Sequence, residues 1–323
     1  PQLPQLPQTY TPRMVYVELF AACDMSCPMC VTLPYRDGVR RVMSREHIRE
    51  KILEPCAARG MTRVIFGGGE PTLRKDHLEI FADAIACGYD VWLATNLARL
   101  TEEKLSALLH QLDGGRHTIA VSYDSLIPDE MNAIRGGAVH ERVDRNCRRV
   151  VQLRRELGAR VTFTATMIVQ RENFRSINAT IDYMLGTVGF DAIHVHPRHD
   201  YKSVTLENFR DQSPSEFCRE HERDLMAAGL HLYHRASQDA RIVVQGSLDD
   251  WINFVRAPQR IARKCDAGRM LFFNSEGVLR SCMFGTAYAD VRTSDVADIL
   301  SSHAYQDARQ LLDTCHICHL SCN

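Results

Sequence analysis

The chain has 323 residues, of which 45% are hydrophobic, and this length can bury one large core or a core with a small appendage. Its 39 Lys and Arg residues balance its 40 Asp and Glu residues, so charge predicts no attraction to nucleic acid or to an anionic membrane surface. No run approaches the roughly 18 apolar residues of a membrane span, and no signal-peptide pattern opens the chain, so we expect a cytoplasmic protein.

The chain begins with a low-complexity tail. Residues 1–12 contain a repeated Pro-Gln-Leu unit, which favours extended conformations and cannot pack a core. The first strand is predicted at Val15–Phe20, where a short apolar run follows this tail.

Three cysteines lie close together just after the first predicted strand. Cys23, Cys27 and Cys30 have the spacing C-x3-C-x2-C, and the chain holds 12 cysteines in all, which indicates reduced thiols and metal rather than disulfides. Thiolates two or three residues apart suit an iron-sulfur cluster, and three thiolates for four irons leave one iron open. Zinc is the alternative, but a structural zinc site has four ligands, and no Cys or His follows at finger spacing.

A glycine-rich turn follows the second predicted strand, Arg63–Phe66. The turn contains Gly67, Gly68 and Gly69, which let the backbone approach a ligand closely, and Glu70 adds a negative charge. The helix predicted next covers Leu78–Ala86.

The remaining pattern alternates strands with helices. Strands are predicted at Val15–Phe20, Arg63–Phe66, Val91–Asn96, Thr118–Ser122, Val161–Val169 and Ala192–His196. Helices are predicted between them, at Thr101–Leu112 and Arg142–Leu157 among others. This order predicts an α/β fold, a parallel sheet curled into a partial (β/α)6 TIM-like barrel. Function is then expected at the carboxyl ends of the strands, where both motifs fall, together with Asn96, Ser122, Asp124 and His196.

A polar cluster occupies residues 194–200 at the end of the sixth predicted strand. Alternation along a strand places His194 and His196 on one face. If that face lines the barrel, the two histidines are substrate contacts or proton acceptors, and the position of His196 at the barrel mouth favours it. The alternative is a pair of structural histidines whose hydrogen bonds are satisfied by neighbours.

A second set of cysteines lies near the carboxyl terminus. A hairpin is predicted from Met270–Phe273 and Val278–Phe284 around a turn that ends at Gly277, and a helix from Val296–Leu312 follows. The hairpin brings Cys265 and Cys282 toward each other, and the helix returns the chain to Cys315, Cys318 and Cys322. A structural zinc is the alternative occupant of four such thiolates. We therefore divide the chain into the tail at 1–12, a barrel at 13–200, a bridging region at 201–258 and a small α+β cluster-binding domain at 259–323.

The cysteine loop and the glycine turn together resemble the radical S-adenosylmethionine (SAM) superfamily. The resemblance implies that Cys23, Cys27 and Cys30 hold a 4Fe-4S cluster whose open iron binds SAM. The further cofactor contacts that it implies are the SAM amino group at the glycine turn (Gly68, Gly69, Glu70), a strand-end contact at Asn96, the ribose near Ser122 and Asp124, the adenine near the backbone of Val169 and the carboxylate at Arg135. For the strand-end residues the alternative is an ordinary polar side chain packed by its neighbours. Met29 departs from the aromatic residue that most members have before the third cysteine.

The carboxyl-terminal cysteines resemble the Twitch domain, a shortened SPASM domain. The match is the C-x11-G-x4-C run from Cys265 through Gly277 to Cys282, with a terminal C-x2-C. It implies one auxiliary 4Fe-4S cluster held by Cys265, Cys282, Cys315 and Cys318, with Cys322 competing for one place. A full SPASM domain needs two more cysteines than this chain offers.

The resemblance implies a 5'-deoxyadenosyl radical that abstracts hydrogen from a substrate. We expect a small polar substrate, such as an aminocyclitol, sugar or nucleoside of antibiotic biosynthesis, which is dehydrogenated with electron transfer to the auxiliary cluster. A flavodoxin- or ferredoxin-type protein is the expected reductant. One alternative is an epimerase in which Cys218, on a helix predicted at Pro214–Ala228, returns hydrogen to the product radical, although a buried cysteine is usually a small core residue.

Two further functions stay open. Relatives that mature ribosomal peptides often carry an added peptide-recognition domain, for which this chain has no room. From a different class, the chain would be an iron-sulfur electron carrier or a metal sensor, but neither needs the cofactor pocket that the glycine turn and the barrel predict.

Overall fold

The computed structural model describes residues 12–30, 32, 41–197, 214–260, 267–282 and 285–313, and its centre is one mixed sheet of ten strands. In chain order the strands are β1 (Met14–Phe20), β2 (Arg63–Gly68), β3 (Asp90–Thr95), β4 (Thr118–Ser122), β5 (Thr162–Val169), β6 (Ala192–Pro197), β7 (Ile242–Val244), β8 (Met270–Phe273), β9 (Val278–Arg280) and β10 (Ala287–Asp290). Their order in the sheet is β10-β9-β8-β1-β2-β3-β4-β5-β6-β7, which is not closed. The predicted α/β partial barrel is confirmed.

Helices connect these strands and cover the outer face of the sheet. They are α1 (Arg45–Ile48), α2 (Glu54–Ala57), α3 (His77–Ala86), α4 (Glu102–Gln111), α5 (Pro128–Arg135), α6 (His140–Leu157), α7 (Ile177–Asp182), α8 (Glu216–Glu220), α9 (Glu222–Gln238), α10 (Leu248–Arg256), α11 (Val296–Ser301) and α12 (His303–Asp313). A π-helical segment at Arg49–Leu53 joins α1 to α2, and another at Tyr183–Val188 extends α7. None of the helices in the described ranges is both long and apolar enough to cross a membrane.

The two faces of the sheet differ in composition. On β1, Val15, Val17 and Leu19 are at most 2% exposed and pack in the main core. The alternate residues face the concave side, where the ring of Tyr16 lies 5.3 Å from that of Phe272 on β8. A small apolar cluster forms there and consists of Met14, Tyr16, Ile65, Ala267, Met270, Phe272, Cys282 and Leu312.

The carboxyl-terminal hairpin joins the barrel sheet. The strand β8 pairs in parallel with β1, so that Tyr16 lies opposite Phe272, and β9 and β10 continue the sheet in antiparallel fashion. The structure shows no break in the sheet at the predicted domain boundary of residue 259. The turn that ends at Gly277 therefore lies beside the carboxyl end of β1.

Several predicted elements have different limits in the structure. The second hairpin strand ends at Arg280 rather than at residue 284, because a turn closed by a 3.0 Å hydrogen bond from Gly285 N to Cys282 O leads into β10, which was not predicted. The helix predicted at Val296–Leu312 is broken at Ser302, whose hydroxyl accepts a hydrogen bond from Tyr305 N at 3.1 Å and so begins a new helix. The helix predicted at Pro214–Ala228 is broken at His221 and continues to Gln238.

Candidate metal centre and cofactor site

The cysteine loop lies at the carboxyl end of β1. A hydrogen bond of 2.9 Å from Cys30 N to Cys27 O tightens its second half. Cys23 Sγ accepts from Met25 N at 3.4 Å, the Cys27 thiol donates to Arg135 O at 3.6 Å, and Cys30 Sγ lies 3.1 Å from Thr32 Oγ1. Three sulfur donors are therefore held by the fold at one edge of the sheet.

The donor set fits an iron-sulfur cluster. Burial raises the pKa of the Cys23 thiol to about 11 and raises that of Cys27 as well. Metals bind the thiolate, so loading a cluster here requires that these protons be released. Among the described residues, no three Cys, His, Asp or Glu side chains converge on a single metal ion. A 4Fe-4S cluster needs no such convergence, because each thiolate binds a different iron.

The glycine turn locks directly onto the backbone of the cysteine loop. Gly69 N donates to Phe20 O at 2.8 Å, and Glu70 N donates to Ala22 O at 2.9 Å. A Cβ on Gly69 would lie well under 3.0 Å from the carbonyl oxygens of Ala21 and Ala22. Gly68 has a φ of +111°, which an L side chain rarely adopts. The glycines are thus required for the two motif loops to meet, whatever else they bind.

The carboxylate of Glu70 joins the glycine turn to the end of β3. The side chain is 1% exposed, and its Oε1 accepts hydrogen bonds from Thr72 N (3.1 Å), Thr72 Oγ1 (2.6 Å) and Thr95 Oγ1 (2.7 Å). Its Oε2 accepts from Asn96 N at 2.7 Å. Burial raises the pKa of Glu70, and these hydrogen bonds oppose that effect. Glu70 therefore holds the loops in place from beneath the candidate cofactor site.

Asn96 connects the end of β3 to the cysteine loop. Its Nδ2 donates to Asp24 Oδ1 at 2.9 Å and lies 3.9 Å from Cys23 Sγ. The next residue, Leu97, has a φ of +57°, and Asn146 of α6 donates to its carbonyl oxygen at 2.7 Å. A fully buried leucine in the left-handed region is costly, and such backbone persists only where its surroundings enforce it. The structure thus places Asn96 beside the first cysteine, and its predicted contact with SAM stays a prediction.

Asp124 and Arg135 form an ion pair behind the cysteine loop. Asp124 is completely buried, and its Oδ1 accepts from Ile168 N of β5 at 2.8 Å, while its Oδ2 contacts Arg135 Nη2. Arg135 is also the residue whose carbonyl oxygen accepts the Cys27 thiol. Burial raises the pKa of Asp124, and the neighbouring guanidinium opposes that effect. The two residues connect β4, β5 and α5 to the cysteine loop. Their predicted contacts with SAM stay predictions.

The other predicted cofactor contacts lie at strand ends. Ser122, the last residue of β4, is half-buried, and Val169, the last residue of β5, is fully buried. Only the backbone of Val169 is therefore available for the predicted contact with adenine, which stays untested, as does the predicted role of Ser122.

The concave face of the sheet carries the predicted histidines. The rings of His194 and His196 lie parallel with centroids 6.4 Å apart, and the ring of Trp92 meets His194 edge-on at 6.0 Å. His196 is 8% exposed, and its Nδ1 is hydrogen-bonded to Gln245 Oε1. Burial lowers the pKa of His194, which favours its neutral form. The two histidines share one face, as alternation along the strand predicted.

Cys218 has the contacts of a core cysteine. It is 1% exposed, lies on the short helix α8, and donates a hydrogen bond to Phe254 O of α10 at 3.7 Å. Burial raises the pKa of its thiol. None of the contacts given for the described residues joins Cys218 to His196 or to the cysteine loop, so its hydrogen-donor role has no geometric support here and stays a prediction.

The predicted auxiliary cluster falls mostly outside the described residues. Cys265, Cys315, Cys318 and Cys322 lie there, whereas Cys282 packs against the small apolar cluster on the concave side. The ligand set inferred from the Twitch resemblance therefore stays a prediction.

Three residues of the concave face were missed by sequence reasoning. Glu18 on β1 is 6% exposed, and burial raises the pKa of its carboxyl to about 7. Thr164 on β5 and Gln245 after β7 are 4% and 5% exposed. The alternation that places Glu18 opposite the apolar Val17 and Leu19 was a usable signal for the first of these. Gln245 had none, because the three-residue strand before it is too short to show a period.

Comparisons with known proteins agree with this geometry. The sequence matches the family model described as the Radical SAM superfamily over residues 17–184. PqqA peptide cyclase of Rhodopseudomonas palustris is 30% identical over 178 residues, which is 54% of this chain and 44% of that protein. A probable GTP 3',8-cyclase of Methanothermobacter marburgensis is 33% identical over 131 residues, which is 39% of this chain and 40% of that protein. The chain therefore spans less than half the length of these curated relatives.

Solved structures share the fold. Streptococcus suis SuiB has a TM-score of 0.70 at 14% identity, covering 95% of this chain and 72% of that chain. The structure of anSMEcpe with bound AdoMet has a TM-score of 0.66 at 15% identity, covering 93% of this chain and 83% of that chain. At these identities the likeness establishes the fold alone. Because the family model covers just over half of the 323 residues and includes both motif loops, the chain belongs to the radical SAM superfamily.

Proposed function

We propose that this chain is a radical SAM enzyme that takes a hydrogen atom from a peptide substrate. Cys23, Cys27 and Cys30 would hold the 4Fe-4S cluster, and the neighbouring glycine turn would hold the amino group of SAM. When bound, the cluster supplies the electron that cleaves SAM and gives the 5'-deoxyadenosyl radical. The observation that carries the proposal is the direct hydrogen bonding between the cysteine loop and the glycine turn, through Gly69 N and Glu70 N.

The residues of the chain prepare and protect this site. Glu70 and Asn96 fix the loops by hydrogen bonds that are already made, so the site needs little reorganisation when a cofactor binds. The buried Arg135 places positive charge beside Cys27, which favours a thiolate there. The concave face beneath them would hold the substrate away from water.

The choice of a peptide rests on relatives. The curated relative with 30% identity is a PqqA peptide cyclase, and the fold is shared with the structures of SuiB bound to the precursor peptide SuiA and of anSMEcpe with the Cp18Cys peptide. Since the chain spans less than half of the curated relative, its length carries no weight against a peptide substrate. This reverses the order of the sequence-based hypotheses, in which a small polar substrate came first.

A small polar substrate is the second candidate. It is favoured by the concave face, where Ala94, Ala120, Thr164 and Ala192 are successive register partners and leave short side chains in the lumen. Dehydrogenation with electron transfer to an auxiliary cluster, or epimerisation, would then be the reaction. The reductant of flavodoxin or ferredoxin type remains part of the proposal in either case.

The test is made on anaerobically reconstituted protein. With dithionite and SAM, the wild-type chain should form 5'-deoxyadenosine, whereas the Cys27→Ala variant, which lacks one cluster ligand, should not. Cys147→Ala, which removes a buried cysteine of α6, serves as the control. No 5'-deoxyadenosine from wild-type protein with a full iron content would reject the enzyme.

The substrate class is decided by a second measurement. Boiled cell extract is fractionated by size, and each fraction is tested for stimulation of 5'-deoxyadenosine formation. We expect the stimulating activity to be destroyed by protease. A protease-resistant stimulating fraction of low mass would favour the small polar substrate instead.

A further inference from the structure

Three polar side chains without a fixed charge lie on the concave face between β5 and β7. His194 pairs with Val243 and Val195 with Val244 in the parallel register, which brings His196 opposite Gln245, the residue after β7. Thr164 lies on the same face of β5, because its neighbours Phe163 and Ala165 are fully buried on the opposite face. We call Thr164, His196 and Gln245 the lumenal polar face.

Two members of the lumenal polar face each have one side-chain polar atom without a hydrogen-bond partner in the described part of the chain. Gln245 is 5% exposed, and its Nε2 has no partner among the described residues. Thr164 is 4% exposed, and its Oγ1 likewise has none in the described part of the chain. Buried polar atoms are nearly always hydrogen-bonded, since an unpaired one loses its bonds to water without replacement. Two such atoms on one face are open to a partner that lies outside the described residues.

The hydrogen bond between His196 and Gln245 has a defined donor and acceptor. Gln245 Oε1 can only accept, so His196 Nδ1 donates to it. The amide nitrogen of Gln245 then keeps two N–H donors that no described residue accepts. Gln245 both orients His196 and presents donors of its own.

The chemistry of this face selects the kind of group that it binds. Its members are an amide, a hydroxyl and an imidazole, and none carries a fixed charge. The concave side also carries the buried carboxyl of Glu18 on β1, which disfavours an anionic ligand when it is ionised. Donors without a balancing cation suit a neutral oxygen atom better than a carboxylate or a phosphate.

We propose that the lumenal polar face is a substrate subsite for neutral oxygen acceptors, either peptide carbonyls or hydroxyls, one of which accepts a hydrogen bond from Gln245 Nε2 and another from Thr164 Oγ1. The subsite rests on the proposed function, since it assigns part of the substrate contact of that enzyme. Gln245 also acts as a positioning residue for His196.

Substitutions separate the two roles of Gln245. Gln245→Glu keeps an oxygen acceptor for His196 Nδ1 and removes the N–H donors, whereas Gln245→Leu removes both. Thr164→Val removes only the hydroxyl at constant shape. Gln238→Glu, at the exposed end of α9, is the control for the added charge.

Binding is measured by saturation-transfer NMR on reconstituted protein, without reductant. The probes are N-acetylglycine methylamide for the carbonyl, myo-inositol for the hydroxyl and acetate for the anion. We expect one of the two neutral probes to bind the wild type and Gln238→Glu equally, and to bind Gln245→Glu and Thr164→Val about tenfold or more weakly. Binding of neither neutral probe, preferential binding of acetate, or equal binding by all variants would overturn the subsite.

Two further readouts do not depend on a probe. The ring nitrogens of His196, observed by nitrogen-15 NMR, should show a proton on Nδ1 in the wild type and in Gln245→Glu, and a mixture of tautomers in Gln245→Leu. Thr164→Val should melt no lower than the wild type, because the hydroxyl that it loses has no partner. An unchanged tautomer in Gln245→Leu, or a lower melting temperature of Thr164→Val, contradicts the assignment. Because none of these measurements uses SAM cleavage, a failure to form 5'-deoxyadenosine rejects the enzyme and is distinguishable from a failure of the subsite.

Discussion

The edge of the sheet at β1 to β3 and the concave face at β5 to β7 differ in whether their buried polar side-chain atoms are hydrogen-bonded. At the first, none of the side chains of Cys23–Cys30 or Gly67–Thr72 that the structure describes has a buried nitrogen or oxygen atom without a partner. At the second, Thr164 and Gln245 each keep one such atom. The buried polar side-chain atoms of the two motif loops are therefore all hydrogen-bonded within the described residues. The concave face, in contrast, leaves two buried polar atoms without a partner there.

The strongest disruption of the first region is expected from Gly69→Ala. The new methyl group would meet the backbone oxygens of Ala21 and Ala22, which no side-chain rotation can relieve. We expect the reconstituted variant to lose most of its iron and sulfide and to melt lower than the wild type. The control is Gly186→Ala, because a Cβ there meets nothing within 4 Å. Full cluster content in Gly69→Ala would show that the loops need not lock together.

The link between the two regions is broken by Asp124→Asn. This change leaves Arg135 buried without a counter-charge, and such a loss typically costs about 3–5 kcal/mol. Urea denaturation measures the free energy of unfolding. The double variant Asp124→Asn with Arg135→Met removes both charges at similar volume and should be more stable than the single variant. If the two variants unfold alike, the pair does not act as a buried ion pair.

On the concave side, the substitution Glu18→Gln is expected to change how the stability of the protein depends on pH. Burial raises the pKa of Glu18 from 4.5 to about 7, with Arg280 and Ser275 opposing and Glu276 adding to the rise. A raised folded-state pKa means that stability is full below the unfolded pKa and is lost as pH rises through the folded one. We expect Glu18→Gln to match the wild type near pH 4.5 and to exceed it by up to about 3 kcal/mol above pH 7.

Thermal melts of the wild type and Glu18→Gln across this pH range test the expectation, with Glu103→Gln at an exposed position of α4 as the control. A difference that is constant with pH would mean that the Glu18 carboxyl titrates alike in the folded and unfolded chains.

The smallest effect is expected from Cys218→Ala. The thiol packs in the core against Phe254, so its removal should cost about 1 kcal/mol and leave product formation per 5'-deoxyadenosine unchanged. Cys147→Ala is a matched core control. Continued 5'-deoxyadenosine formation with loss of product in Cys218→Ala alone would instead identify this thiol as the hydrogen donor.

The sequence predicted the first region well because its signals are local. Each of its two motifs, the three cysteines in eight residues and the glycine turn after a strand, can be recognised from a few adjacent positions. It did not predict that Gly69 faces the backbone of Ala21 and Ala22, since that contact joins segments almost 50 residues apart.

The concave face was harder to predict because its pattern is not periodic. His194 and His196 were placed on one face by alternation, but their partner Gln245 follows a strand of three residues in which Val243 is exposed at the sheet edge. The pairing of β8 with β1 was missed for another reason. A parallel partner more than 250 residues away leaves no trace in either segment, whereas a hairpin partner does.

That long-range pairing has a consequence for synthesis of the chain. As the polypeptide leaves the ribosome, Met14 to Val17 have β2 on one side but must wait for Met270 to Phe273 before the other side is covered. Until then the nascent protein presents an apolar strand with open amide and carbonyl groups, the kind of edge that recruits chaperones or neighbouring chains. Translation that stops before residue 270 should therefore yield aggregates rather than a smaller folded unit.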